Sequence, residues 1–105
     1  MRAARRFAAG RVSAPERRKV VALIVSELAT NAVIHAGTGF EVRIREDSDG
    51  CVHGSVTDTG GGIPNVERQL LPLGEHGRGL RIVERLATAW GTEWLADGKR
   101  VWFEL

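Results

Sequence analysis

The stretch RRKVVALIVSELATNAVIHA, residues 17 to 36, contains neither glycine nor proline, and Pro15 and Gly37 bracket it. Twenty residues without a breaker are too many for an ordinary strand and read as a helix. Ser13-Ala14-Pro15-Glu16 supplies the start, with Ser13 as N-cap, Glu16 three residues on to complete a capping box, and proline in the first turn. Gly37 supplies the stop. Within 105 residues such a helix argues against an all-β fold, and the length allows one domain spanning 1–105 with one core.

The rest of the chain is mostly strands. FEVRIRE alternates strictly, with Phe40, Val42 and Ile44 on one face and charges on the other. Asp47-Ser48-Asp49-Gly50 is a turn and CVHGSVTD the returning strand, which makes a hairpin. After the loop GGGIPN, VERQLLPLGEHG is irregular around Pro72, and Leu80 to Trp90 reads as a helix stopped by Gly91. TEWLA-DG-KRVWFEL is a second hairpin around an Asp-Gly turn. Helix, helix, hairpin, loop, helix, hairpin predicts an α+β fold: a two-layer sandwich, its mostly antiparallel, mixed sheet covered by helices on one face.

Three polar groups face the wrong way. On a helical wheel Val20, Leu23, Ile24, Leu28 and Ile34 form one arc, with Glu27 and Asn31 in its middle, one turn apart on one face. On the returning strand Val52, Gly54, Val56 and Asp58 share parity, so Asp58 points with the valines, and Gly54 leaves a gap in that face. A buried carboxylate without a partner costs several kcal/mol, roughly, or takes up a proton. Neither stripe contains a lysine or arginine. The plain alternative puts these groups at the sandwich edge, solvated or capping loop amides. Three of them beside a glycine-rich loop fit better a pocket for a polar ligand with a metal ion.

DTGGGIP, residues 58 to 64, admits three readings: an aspartic protease half-site, a nucleotide pocket, or a tight turn. Gly77 and Gly79 flank Arg78 at the expected start of the next helix, where free N–H groups suit phosphate. As an isolated motif, glycine–any residue–glycine is equally consistent with a turn.

Charge is uneven. Arg2, Arg5, Arg6, Arg11, Arg17, Arg18 and Lys19 stand against Glu16 alone in residues 1–20, so under a formal charge of +2 the remainder is net acidic. The head reads as the solvated face of a basic N-terminal helix over residues 1–13, with attraction to nucleic acid or an acidic protein as the other use. No apolar run reaches the ~18 residues that span a bilayer. The single cysteine, Cys51, forms no internal disulfide, consistent with a reducing, cytoplasmic setting. Trp102 shares parity with Arg100 and Glu104, placing it either on an exposed partner surface or in a cross-strand pair with Trp94.

ELATNAVIHA (27 to 36), DTGGGIP (58 to 64) and HGRGLRIVERLA (76 to 87) resemble, in order and spacing, the N box and two glycine boxes of the GHKL, or Bergerat-fold, ATPases. These include type II topoisomerase, chaperone and histidine-kinase ATPase domains. The resemblance implies ATP and Mg²⁺ as cofactors. It implies Asn31 as the Mg²⁺ ligand, Glu27 as the general base or the group that orients the nucleophile, and Asp58 as acceptor for the adenine amino group. Gly60, Gly62 and Ile63 would make room for the base. Gly77, Arg78, Gly79 and Leu80 would line the phosphate side under a lid of roughly residues 65–76.

Within that group "NAVIHA", the short lid and the ending VWFEL are most similar to bacterial anti-sigma-factor serine/threonine kinases. That likeness implies a homodimer that binds a sigma factor and phosphorylates an antagonist protein on serine, with no direct nucleic acid and no membrane. Such proteins usually carry a further strand before the N box. They often have threonine, said to touch adenine through water, where this chain has Arg100. A nucleotide-gated adaptor of the same fold and a detached histidine-kinase ATPase domain are the alternatives. A protease homodimer conflicts with the long helix.

Overall fold

The structure, a computed structural model, describes residues 2–36, 39–58, 73–96 and 98–105, with the main chain alone for 34–36 and 73–79, and among the described residues there are two hairpins and three helices. The elements run α1 (Arg2–Gly10), α2 (Pro15–Ala36), β1 (Phe40–Glu46), β2 (Val52–Asp58), α3 (Leu73–Leu86), β3 (Ala89–Leu95) and β4 (Gly98–Glu104). Strand order is β1-β2-β4-β3, so the two hairpins lie side by side with β2 against β4. Every described strand pair is antiparallel; the expected sandwich forms, without a parallel pair among these residues.

The first turn closes through Asp47, whose Oδ1 accepts the N–H of Asp49 at 3.1 Å and of Cys51 at 3.0 Å. Gly50 takes φ 86°, a backbone conformation that favours glycine. Alternation then sorts the strands as expected. Val52, Val56, Val101 and Phe103 face the helices and meet Val21, Ile24, Val25 and Leu28 in one core. Burying each such side chain contributes about 1.5–3 kcal/mol.

The second hairpin differs from its sequence reading. Leu95 pairs with Gly98, so Gly98 is already the first residue of β4; residue 97 lies outside the described residues. Gly98 serves close packing, described below, and lacks the positive φ of an Asp-Gly turn.

Four further expectations are corrected. The packed face of α2 consists of Val21, Ile24, Val25, Leu28, Ala29 and Ala32, whereas Leu23 is 41% exposed. Alanines set that face, and their low hydrophobic weight hides it on a wheel; Ala4 and Ala8 of α1 are buried in the same core. Glu27 and Asn31 are therefore half-buried at the margin of the stripe, not in its middle.

Ser13 does not cap α2. Its N–H and hydroxyl donate to Glu46 Oε2 and Oε1 at 3.1 and 2.7 Å, and Ala14 O receives the first helical N–H groups, those of Arg17 and Arg18. The third helix is Leu73–Leu86, not Leu80–Trp90. Thr88 N–H donates to Glu104 O at 2.7 Å, which draws the chain onto the sheet and makes Trp90 a strand residue opposite Phe103. The gap at Gly54 is no pocket. The Phe103 ring lies over it, so an added Cβ would sit 2.7 Å from Phe103 Cε1.

The basic head is partly structural. Arg18 Nε donates to Val12 O at 2.7 Å, Arg17 donates to Gly50 O, and Arg5 Nη2 donates to Ser26 Oγ at 3.4 Å across the α1–α2 contact. Among the described residues no helix is long and apolar enough to cross a membrane.

Candidate functional site

Asp58 ends β2 on the helix-facing side of the sheet and is 3% exposed. Its neighbours in that row come from the other three strands. Phe40 of β1 lies directly opposite it, Lys99 of β4 lies on its other side, and Trp94 of β3 lies opposite Lys99. The Lys99 main-chain N–H donates to Asp58 Oδ1 at 3.1 Å. The Lys99 ammonium sits 5.6 Å from the centroid of the Trp94 ring, a cation–π distance.

Gly98 makes this arrangement possible. An added Cβ would stand 2.9 Å from Asp58 Oδ1 and closer still to the Asp58 carbonyl oxygen. Sequence reasoning missed Gly98 and Lys99 as site residues. Strand parity held the signal, because Lys99 alternates with Val101 and Phe103 on the buried side. The cation absent from the α2 and β2 stripes is supplied by β4.

Above Asp58 the helices close a small cleft. Leu28, Asn31 and Ala32 of α2 form its roof, Leu80 of α3 one side, and Val56, Asp58, Lys99 and Val101 the sheet wall. Asn31 and Asp58, expected together, thus line one cleft, and Leu80 joins them. Glu27 is one turn before Asn31 on α2, half-buried and not among the lining residues. Gly77, Arg78 and Gly79 lie within α3 rather than at its N-terminus, so no helix end with free N–H groups is found at that motif. Gly60, Gly62, Ile63 and lid residues 65–72 lie outside the described residues.

Arg100, at the position where the resemblance often has threonine, shares the outer face of the sheet with Trp102 and Glu104. It is exposed, and its guanidinium meets Glu93 at 3.2 Å. A wider concavity occupies that outer face, lined by Arg43, Arg45, His53, Arg100, Trp102 and Glu104 among others. Its charges are largely matched by neighbours: Arg43 with Glu41 at 2.7 Å, and His53 with Asp47 and Glu104 at 3.2 and 3.4 Å. Trp102 covers Gly91 there, and Trp94 is on the opposite face, so the two tryptophans form no cross-strand pair. The smaller cleft, which holds the buried carboxylate and Asn31, is the candidate site.

Among the described residues no three His, Cys, Asp or Glu side chains are grouped to hold a metal ion. Magnesium bound with a nucleotide needs no such cage, because phosphate oxygens and waters fill most of its shell. One amide oxygen, that of Asn31, is a suitable hard ligand and borders the cleft. A buried carboxylate accepts a donor from a ligand's edge. The residues present fit a nucleotide with its metal.

The chain matches, over residues 16–105, the family described as histidine kinase-, DNA gyrase B- and HSP90-like ATPases. No curated protein matches it. Domains of this family bind ATP, usually with Mg²⁺. The match covers α2, all four strands and α3, and includes every residue of the cleft. This chain is a member of the histidine kinase-, DNA gyrase B- and HSP90-like ATPase family.

Proposed function

We propose that this member is an anti-sigma-type serine/threonine protein kinase, cytoplasmic and homodimeric, that binds a sigma factor and phosphorylates an antagonist protein on serine. The observation that carries the nucleotide site is Asp58, buried at a sheet wall and facing a cleft roofed by Asn31. The wording of the three boxes and the chain's ending support the finer assignment.

In this reading Asp58 accepts a hydrogen bond from the adenine amino group. Asn31 would hold the metal through its amide oxygen, and Mg²⁺ would supply charge neutralisation at the phosphates. Gly77, Arg78 and Gly79 would line the phosphate side, and the glycine box with Gly60, Gly62 and Ile63, outside the described residues, would make room for the base. Glu27, one helical turn from Asn31, takes the proton of the substrate serine. The serine oxygen forms a bond to the γ-phosphorus as the bond to the β-phosphate oxygen breaks, and ADP leaves. Phosphoryl transfer asks mostly for positioning and charge neutralisation, which a short set of residues supplies.

Incubation with labelled ATP and a candidate antagonist tests the reading. Label is expected on serine in the wild type, with at least a hundredfold slower transfer, roughly, in Glu27→Ala. Transfer unchanged by that substitution removes Glu27 from the mechanism. Glu27 standing outside the lining of the cleft favours a second reading, a nucleotide-gated adaptor of the same fold. Mg-dependent ATP binding with no label on any partner serine selects it.

A further inference from the structure

Among the described residues no helix covers the outer face of the sheet, since the core lies on the other side. That outer face is uneven in a regular way. Across its middle, register aligns Arg43 of β1, Ser55 of β2, Trp102 of β4 and Gly91 of β3. Ser55 is 5% exposed, and its hydroxyl has no hydrogen-bond partner among the described residues. The Trp102 indole lies flat over Gly91, with three of its atoms 2.7–2.8 Å from where a Cβ would stand, so its other side is turned outward. The concavity bordered by these side chains measures about 580 Å³. Large and small side chains thus occupy opposite halves of each hairpin pair.

We propose that this face binds a second copy of the chain, sheet against sheet, about a two-fold axis parallel to the strands between β2 and β4. The proposal rests on the homodimer of the reading above and names its surface. Such an axis keeps each row and reverses the strand order, so β1 faces β3 and β2 faces β4. Large then meets small along the middle row. Trp102 stands over Ser55 of the second copy, and Arg43 over Gly91 and the outward side of the indole, a cation–π arrangement. In the next row Arg45, His53, Glu104 and Ala89 are aligned. Arg45 is exposed and has no ion pair among the described residues. Reversal sets it against Ala89, beside Glu104 of the second copy, which supplies the missing acid. The remaining row opposes Glu41 to Glu93, a like pair at the rim, where Arg43 already holds the first at 2.7 Å and Arg100 the second at 3.2 Å. An axis running across the strands would instead stack Arg43 on Arg43.

Sedimentation of the whole chain tests this, with circular dichroism to confirm that each variant is folded. Wild type is expected to be a dimer at micromolar concentration. Arg45→Glu and Glu104→Arg each set like charges against one another in both halves of the interface, and each is expected to weaken association at least about tenfold. An equimolar mixture of the two is expected to recover the dimer, because both Arg45–Glu104 contacts then join opposite signs. Trp102→Ser is expected to weaken association further and to leave Mg·ADP binding in the cleft unchanged. A dimer that all three variants preserve overturns this surface and leaves the homodimer standing through another one. Weakening that the mixture fails to reverse overturns the two-fold pairing. A monomeric wild type overturns the dimer together with its surface, gives the face to a different protein, and leaves the nucleotide site to its own test.

Discussion

Carboxylates guard both ends of β2, and the two ends use them differently. At the turn preceding β2, Glu46 receives the N–H and hydroxyl of Ser13, and Asp47 receives two turn N–H groups and faces His53. At the far end Asp58 receives the main-chain N–H of Lys99. The first two acids stand at the water's edge, and their bonds fasten the α1–α2 link and the hairpin turn to the sheet. Asp58 is 3% exposed and faces a cleft. Water solvates a surface carboxylate at little cost, so fastening is enough to account for it. A buried one needs compensating charge or donors, which is why its place in the cleft with Asn31 carries the nucleotide proposal.

Removing the buried charge alone is the severest test of this contrast. Asp58→Asn keeps an oxygen for the Lys99 N–H, yet Mg·ATP affinity is expected to fall roughly ten- to hundredfold by calorimetry. Equal affinity in the variant would move the site elsewhere.

Midway along β2, Gly54→Ala should act on the fold and not on the cleft. The new Cβ meets the fully buried Phe103 ring, and the loss is expected to be about 1–3 kcal/mol in denaturant unfolding, with ADP affinity of the folded protein unchanged. An unaltered midpoint would show that the ring shifts freely.

The turn end yields the smallest effect and a pH dependence. The Ser13 hydroxyl bond first, then the Ser13 N–H with Arg17 and Arg18 nearby, hold the Glu46 carboxyl below its usual range against a small opposing effect of burial. His53 chiefly, with the N–H groups of Cys51 and Asp49, does the same for Asp47. Depressed folded values mean that the unfolded chain binds protons first as pH falls. The stabilisation is present above the ordinary carboxylate range, near about pH 4, and is lost as pH drops through the lower folded values. The thermal midpoint of wild type should decline across that window, and Glu46→Gln should decline less steeply, Asp47 supplying the remainder. Identical slopes would detach Glu46 from stability.

Much of the fold was legible because strands announce themselves by parity. FEVRIRE, VHGSVTD and KRVWFE sort their residues between core and exterior as alternation requires, except for Ser55, which is buried on the outer face, and Asp58 falls inside as expected. Helix α2 was legible in extent and not in orientation. It packs through alanines and valines against α1 and the sheet, so apolar residues lie on most sides of it and a wheel selects the wrong arc. Boundaries failed where a long-range bond outweighed local propensity. Ser13 serves Glu46 and not its own helix, and Thr88 pairs with Glu104 where the pattern continued a helix to Trp90.

The order of residues alone determined the element types, the burial of Asp58 and the boxes that place the chain in its family, because these depend on neighbours a few positions apart. Tertiary structure decided which N–H meets Asp58, because parity sorts Lys99 inward and Arg100 outward but only the register of β4 against β2 sets the Lys99 N–H beside that carboxylate. It also filled the space at Gly54 with Phe103 and reserved Gly98 for Asp58, since which side chain occupies a gap is settled by what lies across the sheet.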